Sequence, residues 1–370
     1  MDLTTKYNLK EVINASGKMT ILGVSKVSKS VQSAQQFAGE HFFEISDLVE
    51  KTGAYIANLL NVEGAVVVSS ASAGIAQAIA GIIGQGNLYH LYHPYERRGE
   101  KREIIMPKGH NVDYGTGVDV MVAQGGGELV EAGYANMCSA THLEMMITEQ
   151  TAAILYIKSH HTVQKSMLSV SDAVEVAQKY HLPLIIDAAA EEDLTLYYKL
   201  GADLVIYSGA KAIEGPSSGL VIGKSKFIQW VRLQSKGLGR SMKIGKENIL
   251  GLTQAIEDYC VFGVETGTAM RLRLAPFIEK LNQLDGILAK EIQDSAGRDI
   301  YRGEVHFATP SLASKAVAEL KDKNPAIYTR EYRVNTGIIE FDIRAVTSLE
   351  MEKITQRLAE ILNESRNSHE

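Results

Sequence analysis

Ser208-Gly209-Ala210-Lys211-Ala212-Ile213-Glu214-Gly215-Pro216-Ser217-Ser218-Gly219 separates two short apolar runs, Leu204-Val205-Ile206-Tyr207 and Leu220-Val221-Ile222. Short runs of branched apolar residues bounded by turn formers read as buried strands, so the stretch is a Ser- and Gly-rich turn carrying one lysine. That lysine has two readings. It is a solvated charge in an ordinary strand-turn-strand connection. Or it is an amine held in a pocket, where desolvation favours the neutral form that makes a Schiff base with an aldehyde cofactor. The turn alone favours the first reading; its company favours the second.

Upstream, Ala65-Val66-Val67-Val68 reads as another buried strand. It ends in Ser69-Ser70-Ala71-Ser72-Ala73-Gly74 and runs into the helical pattern Ile75, Ile79, Ile82 and Ile83. A helix N-terminus offers unpaired amides and a favourable dipole end to an anion, and small residues let a phosphate approach the backbone. The spacing therefore assigns a phosphate to Ser70, Ala71, Ser72, Ala73 and Gly74, with a plain N-cap as the alternative. A third element is Leu184-Ile185-Ile186-Asp187, an apolar strand ending in a carboxylate. A buried aspartate needs a cationic or donor partner, and a protonated pyridine nitrogen is one. Asp187 precedes Lys211 by 24 residues, room for one helix and one strand, which puts both at one sheet edge. His110 follows the strand Glu103-Ile104-Ile105-Met106, where open α/β sheets place their ligands, and its ring can lie on a pyridine face. Lysine, carboxylate and phosphate turn together describe pyridoxal 5'-phosphate, with Lys211 and Asp187 catalytic and Ser70 to Gly74, His110 and Ser208 around the cofactor.

The chain has 370 residues, 45% hydrophobic and 22% charged, enough for a large core and a second lobe. A net charge of -6 with dispersed basic residues excludes the footprint of a nucleic-acid binder. Cys138 and Cys260 are too far apart in sequence to suggest a disulfide framework or zinc site, so no metal is expected. Without an apolar leader or a membrane-length run, the expected location is the cytoplasm.

The expected division is an N-terminal arm over 1–44, a large cofactor domain over 45–255, and a bridging helix with a small domain over 256–370. The first forty residues read as extended, packing across a subunit. Apolar spacing predicts a helix from Ile45 to Leu60, a strand from Thr151 to Ile157, and a helix opened by a Ser169/Asp172 capping box. Tyr95 to Arg102 reads as a solvated charge run. One long helix is expected from about Asn248 to Leu284, then a strand at Ile338 to Ile343, a helix from Met351 to Leu362, and a frayed tail.

From Val12-Ile13-Asn14-Ala15-Ser16-Gly17 to Phe341-Asp342-Ile343-Arg344 the chain resembles fold-type I pyridoxal phosphate enzymes, and within them the selenocysteine-synthase-like group. The most specific motif is Ser208-Gly209-Ala210-Lys211 with Gly215-Pro216-Ser217-Ser218-Gly219. The resemblance implies the aspartate aminotransferase-like α/β fold, with a mixed, mostly parallel seven-stranded sheet in a large domain and a small α+β C-terminal domain. The tRNA-acting members read Ser-Gly-Asp-Lys where this chain has Ala210, and carry an extra N-terminal domain that holds tRNA. The likeness is closer to the shorter branch, the D-glucosaminate-6-phosphate ammonia-lyases. It implies α,β-elimination from a phosphorylated 2-amino sugar acid to 2-keto-3-deoxy-6-phosphogluconate and ammonia, in a homodimer or larger homo-oligomer. Substrate carboxylate and phosphate need cations, for which Lys18, Arg240, Lys243, Arg330, Arg333 and Arg344 are the candidates. The alternatives are a selenium-transferase-like or other elimination enzyme on the same cofactor, a nicotinamide oxidoreductase and a noncatalytic scaffold. Gly84-x-Gly86, Gly115-x-Gly117 and Gly237-x-Gly239 all lack the third glycine of a dinucleotide turn, which argues against the oxidoreductase.

Overall fold

Six apolar runs and one stretch not read as a strand, Glu128–Ala132 with its two glutamates, form one sheet: β1 (Gly64–Val68), β2 (Glu103–Pro107), β3 (Glu128–Ala132), β4 (Thr151–Ile157), β5 (Leu184–Asp187), β6 (Leu204–Ser208) and β7 (Gly219–Gly223). Their order across the sheet is β1, β7, β6, β5, β4, β2, β3. All pairs are parallel except those of β7, which runs antiparallel to both β1 and β6. The sheet is therefore the expected mixed, mostly parallel one. The computed structural model describes residues 2–159, 161–294 and 297–367. It divides into two compact units: Val27–Gly263, which holds this sheet, and a second built from the chain up to Lys26 and from Val264 onward.

Side-chain alternation explains why the strands read as continuous apolar runs. In β1, Ala65 and Val67 enter one core while Val66 and Val68 enter the other. The first core is completed by Leu48, Ile56 and Leu60 of the Ile45–Leu60 helix and by Ile249, Leu252 and Ile256 of the Lys246–Phe262 helix. The second is filled by Ile75, Ile79, Ile82 and Ile83 of the Ala71–Gly84 helix, with Val118 and Met121 beside them. Both faces are thus covered, as parallel strands require.

In the other unit a three-stranded antiparallel sheet, in the order Ile338–Phe341, Tyr301–Phe307, Ile287–Gln293, turns Ala289, Val305, Ile339 and Phe341 toward an apolar core. The helices Gly267–Leu281, Pro310–Asp322 and Ser348–Asn367 supply the rest of that core, through residues such as Leu274, Ala316 and Leu358.

Several expectations are corrected. The stretch read as extended contains a twelve-residue helix, Lys29–Glu40, capped by Ser28. Only Val31 and Ala38 of it are buried, too sparse an apolar signal to read. Val12–Asn14 pairs in parallel with Ala326–Tyr328 of the same chain. The long helix is two, Lys246–Phe262 and Gly267–Leu281, separated at Gly263 with φ +67°. The last helix continues to Asn367 where fraying was expected, and residues 368–370 lie outside the described ones. Arg102, read as part of a solvated run, is buried, and its guanidinium donates to the carbonyls of Pro94, Gly126 and Glu96. No described helix is long and apolar enough to cross a membrane.

Ile79 is fully buried between the Ala71–Gly84 helix and the sheet. Ile79→Ala should lower stability by about 2–5 kcal/mol through lost burial and the cavity left behind. A reduced urea midpoint, followed by far-UV circular dichroism, measures it.

Candidate active site

The strand register places the expected residues at one edge. Val68 and Ser208 are both paired with Gly219, Asp187 with Ile206, and Ile157 with Asp187. The turn after β1, the end of β6, the lysine turn and the ends of β5 and β4 therefore converge at the carboxyl edge of the parallel strands.

At the end of β1, Ser70 caps the Ala71–Gly84 helix, its Oγ accepting from the Ala73 N–H at 3.0 Å. The Gly74 N–H donates to the Ser70 carbonyl. The Ala71 and Ser72 N–H groups have no acceptor among the described residues, leaving two unpaired amides at the positive end of a fourteen-residue helix. A side chain at Gly219 would put its Cβ 2.5 Å from the Ser70 carbonyl, so β7 passes directly under this turn because position 219 is glycine.

Asp187 ends β5 almost fully buried, and among the described residues its carboxylate accepts only the Ala189 N–H, at 3.2 Å. Burial pushes the carboxyl up to about 6, against the opposing charge of Lys211 and that hydrogen bond. The backbone after it is laced to β6: Ala188 N–H donates to the Ile206 carbonyl and Ser208 N–H to that of Ala189. The lysine turn is closed by Gly209 N–H to the Ser218 carbonyl at 2.9 Å and Gly215 N–H to the Gly209 carbonyl at 2.8 Å. A Cβ at Gly209 would meet Ser218 Oγ at 2.1 Å, and Asn248 Nδ2 ties down the Ser217 carbonyl. Lys211 is half-buried in this braced turn.

His110 closes the short helical turn after β2 and is buried. Its Nδ1 accepts from the Ile157 N–H at 3.3 Å, and its ring meets Tyr156 edge to face at 4.5 Å. Tyr114, on the loop that follows, has its phenol pushed up by burial and by the charge of Asp187.

The six candidate cations are divided between the two units. Arg240 and Lys243 are exposed in the Val27–Gly263 unit. In the other unit Lys18 donates to Ser25 Oγ, Arg330 lies 3.2 Å from Glu340, and Arg333 2.6 Å from Glu304. Arg344 holds Asp342 through both Nε and a terminal nitrogen, at 3.0 and 2.8 Å.

Two residues escaped the sequence reading. Tyr114 stood in a polar loop with no pattern around it. Lys158 follows β4 at the sheet edge that displays Asp187, and its N–H donates to the Asp187 carbonyl at 2.8 Å. The rule that selected Asp187, a polar residue closing an apolar strand, would have found Lys158. A cavity of about 480 Å³ sits instead at the opposite edge, where Leu184 and Leu204 begin their strands; it is lined by His181, Asp203, Lys224 and Phe227, among others. Asp203 and Lys224 there pair with each other at 2.7 Å. Among the described residues no cluster of three or more histidines, cysteines or carboxylates could hold a metal.

Comparison with known proteins follows the same outline. The family model described as SelA: L-seryl-tRNA selenium transferase matches residues 95–302. The chain is 46% identical over 359 residues to a D-glucosaminate-6-phosphate ammonia lyase of Salmonella typhimurium, covering 96% of each protein. It is 32% identical to a 5'-C-glycyluridine monooxygenase-decarboxylase of a Streptomyces species, over 95% of this chain and 90% of that one. A solved structure of D-glucosaminate-6-phosphate ammonia-lyase superposes with a TM-score of 0.93 at 43% identity, over 98% of this chain and 99% of that one. Aspartate aminotransferase from Thermus thermophilus shares the fold alone, with a TM-score of 0.52 at 13% identity, over 97% and 94% of the chains.

Because the Asp187 carboxyl is raised above its ordinary 3.8, it binds a proton more tightly folded than unfolded. Its contribution to stability is therefore full below about pH 4 and is lost as pH rises through about 6. Asp187→Asn should remove that loss, on the order of 3 kcal/mol, from the cofactor-free protein. Urea midpoints of the two proteins should accordingly diverge between about pH 4 and 7, the variant being the more stable at neutral pH.

Proposed function

Since the chain belongs to the L-seryl-tRNA selenium transferase family and, within it, aligns along almost its whole length with D-glucosaminate-6-phosphate ammonia-lyase, we propose that it is a pyridoxal phosphate-dependent ammonia-lyase acting on a phosphorylated 2-amino sugar acid, D-glucosaminate 6-phosphate or a close relative. The observation that carries this is 46% identity across 96% of both chains. Likeness at that level along both chains supports a shared activity, whereas the fold alone is shared by enzymes of different chemistry.

The residues at the sheet edge fit the cofactor. Two unpaired amides beyond Ser70 suit a phosphate, and a buried carboxylate held by one N–H suits a protonated ring nitrogen. Pyridoxal phosphate, when bound, supplies an aldehyde for amines and an electron sink for negative charge at the substrate α-carbon. The Ser70 to Gly74 turn would hold its phosphate, Asp187 its ring nitrogen, Lys211 its aldehyde carbon, and Ser208 and His110 would border it. The Lys211 amine would take the α-proton of the substrate. Loss of the β-hydroxyl as water, followed by hydrolysis of the carbon–nitrogen bond, yields the 2-keto-3-deoxy acid phosphate and ammonia. Lys18, Arg240, Lys243, Arg330, Arg333 and Arg344 remain the cations proposed for substrate carboxylate and phosphate.

We also carry a homo-oligomer of at least two copies. Phe42 is wholly exposed and Phe262 80% exposed, apolar surface that a second copy could cover. Sedimentation equilibrium should show no monomer at micromolar concentration; a monomer there ends this part of the reading.

The test of function is ammonia release from D-glucosaminate 6-phosphate by purified protein supplied with pyridoxal phosphate. Lys211→Ala should lose the visible band of lysine-bound cofactor and reduce turnover by about 10²–10⁴-fold or more. A visible band in the wild type with no ammonia release would keep the cofactor and reject the substrate. No band at all would reject both.

A further inference from the structure

One face of the Lys246–Phe262 helix touches both turns of the site. Asn248, Leu252, Ala255 and Tyr259 recur at spacings of four, three and four, so the helix brings them into one row, about 16 Å long. The first three meet the lysine turn. Asn248 Nδ2 donates to the Ser217 carbonyl at 3.0 Å. A Cβ at Gly209 would stand 2.8 Å from Leu252, and one at Gly215 3.0 Å from Leu252 and 3.2 Å from Ala255, so two glycines let the turn lie directly on the helix. The fourth reaches the other turn: the Tyr259 phenol donates to the Glu192 carbonyl, in the segment that follows Asp187.

Two further phenols, each from a different element, hold that segment. Tyr207 of β6 donates to the Asp193 carbonyl at 3.1 Å, and Tyr197 of the Leu196–Leu200 helix to the Glu191 carboxylate at 2.6 Å. Both rings are buried. Burial raises all three phenols, Tyr259 to about 12, so they stay protonated donors at neutral pH. Within the segment the Glu191 N–H donates to the Ala188 carbonyl at 3.0 Å, and the Ser208 N–H donates to that of Ala189 at 3.1 Å. Ala189 is thereby fixed between β5 and β6, and its N–H is the donor that the Asp187 carboxylate accepts.

We infer that Tyr259, with Tyr207 and Tyr197, is a positioning residue: the three phenols clamp residues 188–193, and the helix that carries Tyr259, bracing both turns, sets Asp187 at a fixed distance from Lys211 before any cofactor arrives. The purpose of that spacing rests on the cofactor reading above, in which Asp187 and Lys211 hold opposite ends of one planar ring. A rigid ring does not adjust to a displaced carboxylate, so the protein must hold the distance.

Tyr259→Phe keeps the ring and removes the hydroxyl. In full-length, cofactor-free protein, amide hydrogen exchange over 188–193 should quicken by about tenfold, one hydrogen bond's worth, with exchange in the Lys246–Phe262 helix unchanged. Wild-type exchange over 188–193 overturns the clamp whether or not the protein takes a cofactor. Supplied with pyridoxal phosphate, the variant should bind it about tenfold more weakly and lose about tenfold in kcat, with KM for D-glucosaminate 6-phosphate unchanged. Faster exchange with wild-type cofactor affinity and kcat refutes positioning. Ile228→Ala, in the core on the other face of the sheet beside Gly64, supplies the comparison for lost stability alone. If it lowers affinity and kcat as far as Tyr259→Phe does, the phenol is only structural and the inference fails. A wild type without a visible cofactor band rejects the cofactor reading, and the exchange measurement still decides the clamp. If Tyr259→Phe does not fold, Tyr197→Phe, measured in the same way, decides.

Discussion

The close passage of β7 beneath the Ser70 turn is the constraint on which the site depends. β7 is inserted antiparallel between β1 and β6, so its first residue, Gly219, is paired with Val68 on one side and Ser208 on the other. That single residue brings the helix N-terminus and the lysine turn to adjacent positions on one edge. It can do so only without a side chain, since the Ser70 carbonyl occupies the space a Cβ would take. Gly209 plays the matching part inside the lysine turn, against Ser218. Neither glycine has a positive φ. What both positions demand is close approach of backbone to backbone or hydroxyl, not an unusual conformation.

A second constraint is electrostatic. The edge buries Asp187 with one hydrogen bond and sets a half-buried lysine near it, an arrangement that costs stability in the protein by itself and suits a ligand carrying a proton and a phosphate. Buried charge in the other unit is treated differently. Asp342, wholly buried, is gripped by Arg302 and Arg344, and Arg302 also meets Asp294 at 2.7 Å, so each carboxylate there is satisfied and held well below the usual range. The two units thus bury one under-satisfied carboxylate and two saturated ones.

Much of this was legible in the chain. The strand ends at Asp187 and Ser208, the Ser70 cap, and the Ser169–Asp172 capping box all follow from local patterns that fold as read. What escaped had weak or contrary local signals. The Lys29–Glu40 helix buries two residues seven apart, and a mostly polar helix of that kind leaves no stripe to read. Arg102 sits among charges that are solvated, yet three carbonyls receive it in the interior. Continuous helical periodicity across Gly263 concealed a break made by one residue's backbone.

By itself the sequence singled out a lysine, an aspartate and a small-residue turn at strand ends, because these are local statements about hydrogen bonding and desolvation. It determined the α/β layering as well, since apolar runs of strand length alternating with amphipathic helices can bury themselves in few other ways. Only the tertiary structure decided that β7 lies between β1 and β6, that Lys158 shares a backbone hydrogen bond with Asp187, and that the Ile157 N–H donates to the ring of His110, 47 positions away. Those outcomes depend on strand order and register, which arise from packing among residues distant along the chain and leave no mark in any one stretch of it.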